Sequence, residues 1–87
     1  MPNHKSAIKR VRQNEKRRAR NRQIVSTART YIKRVRAAVD SGDAEEANAA
    51  LPAAIKALNV AASKGVIHRN QAARKISRLT RAVNGVG

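Results

Sequence analysis

Nine cations fall between residues 5 and 22: Lys5, Lys9, Arg10, Arg12, Lys16, Arg17, Arg18, Arg20 and Arg22. One acid, Glu15, interrupts them. Charge of one sign at this density repels itself and needs a polyanion to settle against. In a small protein the polyanion that this pattern points to is nucleic acid, held through its phosphates. A second group, His68, Arg69 and Asn70, has no acid nearby. It has two readings: a helix cap with solvent contact, or a phosphate site at a helix N-terminus, where free N–H groups attract anions.

Other chemistries lack their residues. His4 and His68 are not set among acids or other ligands, and no glycine-rich phosphate loop or nucleophile motif occurs. The chain has no cysteine, which excludes disulfides and thiolate metal sites. The reading is therefore a protein that is not an enzyme, with no cofactor, no metal and no small-molecule substrate.

Charge is unevenly spread over the 87 residues, whose net charge is +15. Residues 1–36 hold thirteen cations and one acid, giving +12. Residues 37–63 hold Lys56 against Asp40, Asp43, Glu45 and Glu46, giving −3. Residues 64–87 hold six cations and no acid, giving +6. The two ends are thus expected to face the partner and the middle to face solvent. No apolar run approaches the ~20 residues of a membrane span, and the basic start is not followed by the apolar stretch of a signal peptide.

Helices must position these cations. Phe and Trp are absent, and no strand-like alternation persists. Gly42 and Gly65 punctuate the chain, because glycine tolerates the left-handed conformation that ends helices. The prediction is an all-α, antiparallel three-helix bundle in a single domain, residues 1–87, with a basic arm over 1–22 and the bundle over 23–84. The first helix is expected from about Ser6, as N-cap, to Asp40. Ile24, Val25, Ala28, Tyr31, Ile32, Val35 and Val39 form its core face, with Arg29, Lys33, Arg34 and Arg36 opposite.

The second helix is expected from Asp43 to Ser63, opened by a capping box of Asp43 and Glu46. Its face is Ala47, Ala50, Leu51, Ala54, Ile55, Leu58 and Ala62. Pro52 lacks the N–H that would bond the Asn48 carbonyl, so a kink or two short helices are expected there. The third helix should start near His68 or Asn70, with Asn70 as cap, and run to about Val83. Ala72, Ala73, Ile76, Leu79 and Val83 form its buried face. The two shorter helices cover only the apolar half of the first, so its basic half overhangs by roughly 25 Å at 1.5 Å per residue.

An overhanging arm has several possible uses. A solvated helix face usually mixes charge signs at four-residue spacing, whereas Lys5/Lys9, Arg12/Lys16, Lys16/Arg20 and Arg18/Arg22 are like-charge pairs. These pairs make the arm poorly helical alone and ready to order on phosphates. A membrane-surface helix needs a broad apolar face, and residues 5–22 supply only Ile8 and Val11 as large apolar groups. A single-strand binder wants aromatic platforms, but Tyr31 is the one aromatic residue and its spacing places it in the core. Helix-turn-helix DNA readers present a recognition helix from a compact body. An arm charged around its circumference suits a cleft between several phosphate backbones, as large folded RNA offers.

Three segments carry a family resemblance. KSAIKRVRQNEKRRARNR from Lys5 to Arg22, GDAEEA from Gly42 to Ala47 and KGVIHRNQAARKISRL from Lys64 to Leu79 together resemble bacterial small-subunit ribosomal protein twenty, the S-twenty family. The likeness covers nearly the whole chain, and its third segment is the most specific. It implies a three-helix bundle with a long first helix, bound to 16S ribosomal RNA in the small ribosomal subunit and hence cytoplasmic. By position, Lys5 to Arg22 match the family's RNA-embedded helix. His68, Arg69, Asn70, Arg74 and Arg78 match its second basic segment. Pro52 departs from the family's unbroken second helix. The expected role is structural, with no membrane partner and no homo-oligomer; a nucleoid-type DNA-binding protein is the alternative that charge alone leaves open.

Overall fold

The computed structural model describes the backbone of residues 4–86 and the side chains of residues 8–86. The described residues form three helices: α1 (His4–Asp40), α2 (Ala44–Ser63) and α3 (Arg69–Asn84). Helix α1 begins at His4, so Ser6 falls inside its first turn rather than at the cap. The like-charge pairs do not break it. Each costs only a few tenths of a kcal/mol, and extending an existing helix needs no new nucleus.

Both glycine stops close in the same way. Gly42 has φ +75° and Gly65 has φ +74°. After α1, Asp43 N–H donates to the Ala38 carbonyl at 3.0 Å and Gly42 N–H to the Val39 carbonyl at 3.1 Å. After α2, Val66 N–H donates to the Ala61 carbonyl at 2.9 Å and Gly65 N–H to the Ala62 carbonyl at 3.0 Å. These are Schellman closures, in which the left-handed residue lets two orphan carbonyls find donors. Asp43 then opens α2 at once. Its carboxylate accepts the Glu46 N–H at 3.1 Å, and Glu45 and Glu46 occupy the first turn. So short a turn leaves α1 and α2 side by side and antiparallel.

The core is small and rich in alanine. Ala28, Val35 and Ala38 of α1 meet Ala47, Ala54 and Leu58 of α2 and Ala72, Leu79 and Val83 of α3. Tyr31, Ile32, Val39, Ala50, Leu51, Ala62 and Ile76 pack against it while partly exposed. Alanine lets the helix backbones approach closely, so little side-chain volume suffices to exclude water. Some expectations about faces need correction. Ala73 is exposed, because the line of contact on α3 runs through Ala72, Ile76, Leu79 and Val83 and leaves it on the outer side. Ile24, Val25 and Ile55 are only half-buried and lie outside the core cluster, while Ala38 and Ala61, on no predicted face, are buried.

Helix α2 runs unbroken through Pro52, and two short helices do not form. Pro52 and Asn48 are both exposed, so water can solvate the carbonyl that proline leaves without its donor. Ala47, Ala54, Leu58 and Ala61, buried on the other side, hold the helix together.

Helix lengths decide the shape. At 1.5 Å per residue, α1 spans about 55 Å, α2 about 30 Å and α3 about 24 Å. The molecule measures 65 × 21 × 14 Å along its principal axes. Every residue from Ile8 to Arg20 is exposed, and Asn21 is the first to be partly covered. The basic half of α1 thus projects beyond the bundle, as its length required.

Candidate nucleic-acid interface

The arm presents its cations in all directions. Lys9, Arg10, Arg12, Lys16, Arg17, Arg18, Arg20 and Arg22 are all exposed. Successive residues turn by about 100° around a helix, so this run leaves no neutral side. The Lys5 side chain lies outside the described residues. Ile8 and Val11, 53% and 55% exposed, are the large apolar groups on the arm.

The arm's charge continues into the bundle along α1. At its root, Asn21, Arg22, Val25, Ser26, Arg29, Thr30 and Lys33 share a cleft of about 580 Å³ with Val66 from the α2–α3 connection. Next to it, a crevice of about 410 Å³ opens between α1 and α3. Arg29, Lys33 and Arg36 line it from α1, and Lys75 and Arg78 from α3, together with Ile32, Leu79 and Ala82. Arg29 and Lys33 belong to both hollows, so arm, cleft and crevice form one continuous cationic track. No acid lines either hollow; Asp40, Asp43, Glu45 and Glu46 are gathered around the α1–α2 turn.

The second basic segment that the family resemblance implied divides. Arg78 enters the crevice, whereas Arg74 is exposed and lines neither hollow. His68, Arg69 and Asn70 stay together at the start of α3, all exposed. The cap is His68, not Asn70. His68 has extended backbone angles (φ −71°, ψ 143°), and its Nδ1 accepts the Asn70 N–H at 3.1 Å. The Gly65 closure leads directly into half-buried Val66 and Ile67, which brings the chain into helix two residues before Asn70 could cap it. This bond occupies one of the N–H groups that a phosphate at the helix start would use.

Arg29, Lys33, Arg36 and Lys75 were missing from the predicted site. A signal for them exists: residues 29, 33 and 36 recur at four- and three-residue steps, as do 75 and 78 at three. Their convergence depends on how α1 and α3 pack. Tyr31 is partly buried against the core, as its spacing indicated, and the Arg34 guanidinium lies 5.5 Å from its ring centroid. Among the described residues no group of three or more His, Asp or Glu could hold a metal ion. No helix in the described residues is long and apolar enough to cross a membrane.

The described residues form an all-α bundle from which a helix bearing exposed cations projects, the architecture of a small helical scaffold. The family model described as Ribosomal protein S20 matches residues 2–84. A small ribosomal subunit protein bS20 from Trichlorobacter lovleyi is 60% identical over 87 residues, the whole of both chains. Those from Pelobacter propionicus and Geobacter sulfurreducens are 58% and 55% identical over the same full length. The chain belongs to the ribosomal protein S20 family. This is a family of structural, RNA-binding ribosomal proteins rather than enzymes, and its place is the ribosome of the cytoplasm.

Proposed function

We propose that this chain is assembled into the small ribosomal subunit by binding 16S ribosomal RNA directly. The observation that carries the proposal is the track of exposed cations from Lys9 to Arg36, joined by Lys75 and Arg78 and free of acids except Glu15. The arm enters a cleft in folded RNA, and its lysines and arginines replace the counterions that crowded phosphates would otherwise hold. Such contacts position the protein without reading sequence, so selectivity comes from the shape of the RNA. His68, Arg69, Asn70 and Arg74 extend the contact around the start of α3, with Arg78 in the crevice. The full-length relatives described as small ribosomal subunit proteins support the placement.

Competition between a folded 16S fragment and duplex DNA at matched salt tests this reading. The RNA fragment should win. Preference for the duplex would favour a nucleoid-type DNA-binding protein instead. Co-sedimentation with small subunits in a cell extract should accompany the RNA preference, and absence from that fraction would sink the proposal.

A further inference from the structure

Ile8 and Val11 are out of place in a helix made for phosphates. They are 53% and 55% exposed, although most other large apolar groups of the described chain are at least half-buried. Three residues apart, they share one face of α1. Both are β-branched, so at a solvated helix position each is less favourable than alanine. Neither belongs to the core cluster or to the residues packed against it, and both lie on the exposed stretch from Ile8 to Arg20. Their neighbours Lys9, Arg10 and Arg12 are exposed cations. Whatever covers the pair must therefore offer apolar contact inside a dense field of negative charge. A lipid surface would demand a wider apolar face than two residues give. Folded RNA offers both features, because unstacked base faces and ribose carbons lie between its phosphates.

We infer that Ile8 and Val11 form an apolar contact seated against base and ribose surfaces of the bound RNA, supplying a part of the affinity that does not depend on salt. The inference rests on the RNA-binding reading and adds to it a means of recognising shape. Arg and Lys find phosphates on any nucleic acid, whereas an apolar pair finds a seat only where bases or sugars are presented at the right depth along the arm. Correct insertion of the arm is then rewarded beyond charge neutralisation, and a register shifted along the RNA is not.

The test uses the full-length chain and a folded 16S transcript, with dissociation constants measured across a range of salt. Ile8→Ala/Val11→Ala should weaken binding on the order of tenfold at every salt, the scale of losing the burial of two half-exposed aliphatic groups. The slope of log affinity against log salt should not change, because no phosphate contact is lost. Alanine is the better helix former, so weaker binding cannot be traced to a melted arm. Ile8→Leu/Val11→Leu, which keeps the apolar surface, should retain most of the affinity. An alanine double variant equal to wild type at every salt would overturn the inference alone and leave the parent proposal standing. So would a loss accompanied by a flattened slope, which would mean displaced cations. Binding to phosphatidylglycerol vesicles is the control: a loss confined to vesicles would make the pair a lipid contact. Wild-type protein that fails to bind the transcript at all would remove both readings.

Discussion

Removing Arg17 and Arg20 together separates the arm's role in binding from any role in stability. Both side chains are exposed, and both lie on the stretch from Ile8 to Arg20 that no other helix covers. Arg17→Ala/Arg20→Ala should therefore leave the urea midpoint of the bundle unchanged within the error of the measurement. Each phosphate contact contributes about 0.9 to the salt slope on duplex nucleic acid and about 0.7 on single strands. The double variant should lower the magnitude of the slope by roughly 1.4–1.8. Between about 50 and 200 mM salt, that change makes the variant's deficit shrink roughly tenfold, being largest at low salt. The assay is filter binding or fluorescence anisotropy on a folded 16S fragment at four or five salt concentrations. Lys33→Ala/Arg36→Ala, in the α1–α3 crevice, should flatten the slope similarly if the track is continuous to its end. A wild-type slope from the arm variant would show that the arm lies outside the interface, and the geometric argument for its length would fail with it.

Other substitutions probe the scaffold by urea denaturation. Asp43→Ala removes the acceptor for the Glu46 N–H and should cost about 1 kcal/mol. Gly42→Ala meets nothing within 4 Å, so its cost, about 1–2 kcal/mol, should come from the +75° φ alone. Leu58→Ala, at a position only 2% exposed, should cost about 2–5 kcal/mol, a large share of the stability of so small a chain. Pro52→Ala restores a donor for the Asn48 carbonyl on an exposed face and should stabilise the fold by about 1–2 kcal/mol; destabilisation would mean that proline packs in a way its exposure hides.

What the sequence revealed and what it concealed follow from the range of each force. The caps and stops are local: Gly42, Gly65 and Asp43 act on residues within five positions, so residue type alone located them. The arm was legible because its evident property is the lack of a partner. Eighteen residues with few large apolar groups have no core to join, whatever the packing. The crevice was hidden because it belongs to no single helix. Periodicity assigns faces around an axis, but the meeting of Arg29, Lys33 and Arg36 with Lys75 and Arg78 depends on the rotation of α3 against α1. Ala72 and Ala73 show the same limit: both suit a buried face, and only the packing chooses between them. The choice of His68 over Asn70 as cap was concealed differently, because the chain's exit from the Gly65 closure overrides the better capping residue.

The convergence of cations has a consequence for the free protein. Arg29, Lys33, Arg36, Lys75 and Arg78 meet around one crevice without an acid, in a chain of net charge +15. Folding brings the two helices together and so brings these charges together, a repulsion that the unfolded chain avoids. Salt screens exposed charges within about 8–10 Å at physiological strength. The melting temperature of the free protein should therefore rise as sodium chloride is increased, while affinity for RNA falls over the same range. The two effects share one cause: ions do weakly for the crevice and the arm what phosphates do strongly. Lys33→Ala/Arg36→Ala should raise the low-salt melting temperature and reduce its dependence on salt, although the same variant binds RNA less well. A melting temperature that falls with salt would mean that attraction, not repulsion, dominates between the helices, and the track of cations would then be part of the scaffold rather than a surface waiting for a polyanion.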